Sequence, residues 1–95
     1  MTREEILDVL AAHRERLSEL AVHELALFGS HARNEATEES DIDFVVEFTT
    51  KSFDRYMELR EFLESILDRR VDLVLKSAIK PRLRERILRE AVRAA

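Results

Sequence analysis

Apolar residues recur along this chain with two different periods. Ile6, Val9, Leu10, His13, Leu17 and Leu20 share one face of a helix, and Thr2 with Glu5 supplies a capping box at its start. Leu25-Ala26-Leu27-Phe28 is a short apolar run ending at Gly29; it reads as a strand, with His23 just before it. From Asp41 the period changes to two. Ile42, Phe44, Val46 and Phe48 alternate with Asp41, Asp43, Val45 and Glu47, which turns both aspartates away from the apolar set. After a polar break at Thr49-Thr50-Lys51-Ser52, helical spacing returns with Phe53, Tyr56, Met57, Leu59, Phe62, Leu63, Ile66 and Leu67, a stripe that reads as core. Val71, Leu73 and Leu75 make the apolar face of another strand, with Asp72 opposite. Pro81 suits the first turn of a last helix, whose apolar positions are Leu83, Ile87, Leu88, Ala91 and Val92. A short helical turn from Ser30 completes the order αβαβαβα. The fold class is α/β (α+β), a small mixed sheet of about three strands with helices on one face and the carboxylate face open.

Length and charge narrow the picture. The 95 residues suit a single domain spanning 1–95 with a thin core. Sixteen Lys plus Arg against 20 Asp plus Glu give a net charge of -4, which argues against nucleic acid as the main partner. There is no cysteine, hence no disulfide framework and no thiolate metal site. The charged amphipathic N-terminal stretch reads as neither a signal peptide nor a membrane span, so the expected location is cytoplasmic. His13 and His23 read as structural residues rather than ligands.

The candidate chemistry lies between the first two strands. Gly29 is the only glycine, it follows an apolar run directly, and Ser30 opens a turn whose free backbone N–H groups attract anions. Same-face strand neighbours such as Asp41 and Asp43 lie roughly 6.5–7 Å apart, within reach of shared hard cations. If the second and third strands pair, Asp72 joins them, and three crowded carboxylates repel unless cations occupy the site. A Gly-Ser turn alone, or an Asp-x-Asp strand end alone, is ordinary. Their combination, in order and in phase with a third aspartate, suggests nucleotidyl transfer.

Gly29-Ser30-His31-Ala32-Arg33, the ten residues between Ser30 and Asp41, and Ser40-Asp41-Ile42-Asp43 together resemble the signature of the DNA polymerase beta-type nucleotidyltransferase superfamily in its minimal form. The likeness extends to Arg70-Val71-Asp72-Leu73-Val74 and to Lys80-Pro81 before an Arg-rich helix. Asn34 departs from the second Gly common in relatives, but Asn also tolerates left-handed backbone. The resemblance implies an antitoxin that pairs, as a hetero-oligomer, with a HEPN-type toxin and moves AMP from ATP to a toxin tyrosine. It implies Asp41, Asp43 and Asp72 as catalytic ligands of Mg²⁺, two ions in all, and Gly29, Ser30, Arg33 and Ser40 at the nucleotide. Arg33 either faces the phosphates or pairs with a loop acid to fix the turn. Glu35, Glu38 and Glu39 read as solvated loop acids. Arg82, Arg84, Arg86, Arg89 and Arg93, relieved by Glu85 and Glu90, form either a solvated helix face or a docking face for an acidic partner. Two other functions fit the same residues: an antitoxin that neutralises by binding only, and a small-molecule nucleotidyltransferase, for which the chain lacks an acceptor-binding segment.

Overall fold

The computed structural model describes residues 1–50 and 52–95, so Lys51 of the polar break lies outside it. Helices α1 (Arg3–Ala12) and α2 (Arg14–Glu19) lead into strand β1 (Val22–Phe28), the short helix α3 (Gly29–Ala32) and strand β2 (Ile42–Phe48). Helix α4 (Phe53–Leu67), strand β3 (Val71–Leu75), a 3₁₀ turn (Lys76–Ala78), helix α5 (Pro81–Glu90) and strand β4 (Val92–Arg93) complete the chain. The sheet order is β3-β2-β1-β4. β1 pairs antiparallel with β2 and β4, whereas β2 and β3 run parallel across the α4 crossover.

The strand periods are obeyed. Leu25, Leu27, Phe44, Val46 and Leu73 point to one face and share a single buried cluster with Ile6, Leu10, Leu17, Leu59, Leu63 and Leu67 from α1, α2 and α4. Each such side chain contributes roughly 1.5–3 kcal/mol through removal from water. Local signals agree with the packing. Thr2 Oγ1 accepts from the Glu5 N–H at 3.1 Å while Glu5 accepts from the Thr2 N–H at 3.0 Å, the capping box expected. Ser52 caps α4 by accepting from the Arg55 N–H at 3.1 Å, and Pro81 sits at the start of α5.

Four expectations need correction. The N-terminal helix breaks at His13, where the backbone N–H bonds Leu10 O at 3.0 Å and ring Nδ1 lies 2.8 Å from Val9 O. That tightened turn leaves the helical region (φ -115°, ψ 23°) and restarts as α2, so the residue is structural, as expected, but as a break. Strand β1 begins at Val22, so His23 lies within it, exposed and 3.6 Å from Glu47. Phe53, assigned to the core stripe of α4, is 76% exposed at the first turn. Finally, the last helix stops at Glu90, and Val92–Arg93 add a fourth strand. The free edge of β1 offers unpaired backbone groups that the chain end satisfies, with the Ala94 N–H donating to Leu25 O at 2.8 Å and the Leu25 N–H to Ala95 O at 3.1 Å.

The second sheet face is open only in part. Ala26 and Val45 are register partners on that face and are buried, together with Ile79, outside the main cluster. The 3₁₀ turn packs on β2, α5 packs on β1 and α3, and Lys76 reaches Glu24 at 3.7 Å. On this face Asp43 is half-buried and Asp72 exposed. No helix among the described residues is long and apolar enough to cross a membrane.

Candidate functional site

At the end of β1 the chain makes a turn that only glycine fits. Gly29 has φ +75°, and a Cβ there would collide with Asp43 Oδ2 and stand 3.0 Å from Asp43 Cγ. The cause is register: Phe28 is the cross-strand partner of Asp43, so the residue after Phe28 folds directly over that carboxylate. The turn then closes as α3, with the Arg33 N–H donating to Gly29 O at 3.2 Å and the Glu35 N–H to Ser30 O at 2.8 Å. Asn34 adopts φ +58°, the left-handed backbone for which asparagine substitutes for glycine. Arg3 pins the far end of the turn by donating from Nη1 to Ala32 O at 3.1 Å. The Ser30 hydroxyl makes no hydrogen bond among the described residues, which leaves it available to a ligand.

On its other side Asp43 is the register partner of Asp72 across the parallel β2–β3 pair. Half-buried, Asp43 titrates at about 6 instead of 3.8; burial is the largest cause, followed by the charges of Asp72 and Asp41, with Arg33 opposing and Glu90 adding slightly. Asp41 stands just before β2, exposed, where Arg70 Nε holds its Oδ1 at 3.2 Å. The structure thus brings Asp43 and Asp72 together, while Asp41 is close enough to influence Asp43 but is turned to Arg70. Among the described residues no three His, Cys, Asp or Glu side chains converge as a ready-made metal cage. The donor set nevertheless fits a hard divalent cation: it consists of carboxylate oxygens, and a bound cation relieves the like-charge repulsion that adds to burial in raising the pKa of Asp43.

The remaining candidates divide. Arg33 is paired with acids in the structure, Nε bonding Glu35 at 3.0 Å and Nη1 bonding Glu90 Oε1 at 2.9 Å. Glu35 is accordingly a paired acid, whereas Glu38 and Glu39 are exposed. Ser40 Oγ bonds the Thr37 N–H at 3.0 Å and Thr37 Oγ1 at 3.2 Å, closing the turn that delivers the chain to Asp41. Arg69 steadies the same loop by donating to Glu38 O at 3.0 Å.

Two residues at the site escaped the sequence reading. By sequence Glu90 only relieves the positive charge of the last helix, yet its Oε1 also accepts from the Gly29 N–H at 3.1 Å. A signal was present: an acid in the last turn of a helix opposes the helix dipole and calls for a specific partner. His31 is buried, with no ring nitrogen in a well-formed hydrogen bond among the described residues; burial, then the N-terminal and Arg69 charges, push its pKa down, opposed by the Asp41 backbone beside it. It lies under the turn as a neutral ring; its short spacing from Gly29 carried no sign of burial.

The sequence profile of the nucleotidyltransferase domain matches residues 10–94. Protein adenylyltransferase MntA of Thermococcus cleftensis is 45% identical over 94 residues, covering 97% of this chain and 95% of its own. A solved structure described as a candidate minimal nucleotidyltransferase superposes with a TM-score of 0.85 at 35% identity, across 97% of this chain and 95% of that one. A chain from the structure of a tri-AMPylated Shewanella oneidensis HEPN toxin in complex with MNT antitoxin superposes with a TM-score of 0.59 at 22% identity, across 90% of this chain and 71% of that one. The last likeness is one of fold.

Proposed function

The chain belongs to the nucleotidyltransferase domain family, and from that premise we propose that it transfers AMP from ATP to a hydroxyl of a HEPN-type toxin, most simply a tyrosine, as the toxin's antitoxin. The observation that carries the reading is the contact between the Gly29 turn and Asp43, itself in register with Asp72. It joins an anion-accepting turn to a pair of carboxylates. The name of the Thermococcus relative supports protein adenylylation, and the toxin complex supports the class of partner.

In this reading Gly29, Ser30 and Arg33 orient the outer phosphates of ATP. Asp41, Asp43 and Asp72 would hold Mg²⁺, which when bound supplies charge neutralisation on the triphosphate and acidifies the attacking hydroxyl. Asp72, the exposed partner of Asp43, accepts the proton of the acceptor hydroxyl as its oxygen bonds the α-phosphorus. The bond from the α-phosphorus to the bridging oxygen breaks, and pyrophosphate leaves. Positioning and electrostatics carry most of the rate, since the chain forms no covalent bond itself. Residues 1–95 act as one domain, with the partner providing the acceptor.

The test is to incubate the protein, Mg²⁺ and a HEPN-type partner with ATP labelled on the α- or the γ-phosphate. Label should reach the partner from the α-position only, on a tyrosine by mass mapping, and folded Asp43→Asn should transfer none. Wild-type transfer by that variant would overturn the proposal. A binding-only antitoxin is the second reading, favoured by the tie of Asp41 to Arg70. It requires Asp43→Asn to neutralise the toxin as well as the wild type does.

A further inference from the structure

Resting on the nucleotide reading above, we infer that Glu90 is a further residue of the nucleotide site: its carboxylate holds the Gly29 N–H and the Arg33 guanidinium, and the triphosphate must displace it. One oxygen, Oε1, accepts both bonds, at 3.1 Å from Gly29 N and 2.9 Å from Arg33 Nη1. A backbone amide and a guanidinium converging on one anionic oxygen are also what a phosphoryl oxygen requires. Two anions cannot share those donors, so the carboxylate and the phosphate compete.

Glu90 is suited to withdrawal. Its side chain is 26% exposed and that of Arg33 41%, so water reaches the pair and it is weak enough to open. Glu90 ends α5, which has no buried residue, while the pairing of Val92–Arg93 with β1 keeps the chain in place, so the side chain can swing away without the helix unfolding. Its departure removes a negative charge from the neighbourhood of Asp43 as the triphosphate arrives.

Gly29 is the only glycine, so ¹⁵N-glycine labelling gives one amide resonance that reports on this contact directly. Tripolyphosphate serves as the probe, titrated at constant ionic strength into wild type, Glu90→Gln and Glu90→Asp. Glu90→Gln should shift the Gly29 resonance in the free protein and bind the probe about three- to fivefold more tightly, the competing ion pair being lost. Glu90→Asp, which keeps the charge but shortens the reach, should also bind more tightly. A merely structural role for Glu90 predicts weaker binding. If the wild type binds the probe and Glu90→Gln binds it no better, or if Glu90→Asp leaves affinity unchanged, this inference falls alone. If no form binds tripolyphosphate, the nucleotide reading of the turn falls with it.

Discussion

Asp43 and Gly29 touch, and each constrains what can replace the other. A Cβ at position 29 meets the Asp43 carboxylate and must adopt φ +75°, so Gly29→Ala should destabilise the protein by roughly 1–3 kcal/mol and misplace Asp43. Ser30→Ala removes a hydroxyl without a partner among the described residues and should weaken nucleotide use while the melting temperature stays within about a degree. Thermal unfolding of both variants beside ATP titrations checks the contrast. Asp43 gives a prediction in pH. Because it titrates at about 6 folded against 3.8 ordinarily, the folded chain binds more protons between those values, and stability falls as pH rises through that window. Asp43→Asn should therefore melt a few degrees above the wild type near pH 7.5 without metal, a gain on the order of 1–2 kcal/mol once solvent screening of the half-exposed carboxylate is allowed for, and the two should converge near pH 4. A variant no more stable than wild type at the higher pH would mean that the carboxylate is not crowded.

Among the elements, α5 departs furthest from its sequence reading. Its arginines are exposed, and Arg89 is paired with Glu85 at 2.6 Å, which leaves Arg82, Arg84 and Arg86 without ion-pair partners among the described residues. Reversing Arg82 and Arg86 to Glu should slow modification of a HEPN-type partner about tenfold while nucleotide affinity changes less than twofold, since exposed charges act mainly on encounter. Rates compared across salt concentrations test this; an unchanged rate leaves the helix face merely solvated. The segments with strong periodic signals, α4 and β2, lie where the pattern puts them because burial of one face selects one register. The break at His13 and strand β4 were not legible. The first depends on a side chain bonding back to Val9, and the second on the vacant edge of β1, which no local pattern around Val92 reports.

For the whole molecule, one cluster spans three of the strands and helices α1, α2 and α4, so damage at its centre is shared by the site. Phe44 is fully buried next to Asp43 in sequence, and Phe44→Ala should cost about 3–5 kcal/mol, a large share of the ~5–15 kcal/mol available to a domain of this size. Urea titration should show the midpoint falling sharply, with transfer activity lost in parallel as the folded fraction declines.

Alternation from Ile42 to Phe48 and from Val71 to Leu75 was enough to set Asp43 and Asp72 each opposite its own strand's apolar set, because side-chain direction in a strand follows from local geometry; that they are neighbours followed from the pairing of β2 with β3. The lone glycine before Ser30 likewise marked a special turn, since few other residues tolerate such backbone. Only the tertiary structure decided that Gly29 lies against Asp43, that Asp41 turns to Arg70 and that Glu90, 61 residues along the chain, closes on the turn. Those contacts depend on strand register and on where the C-terminal helix comes to rest. Both are set by the burial of many distant side chains together, and none of the participating residues carries that information in its own neighbourhood.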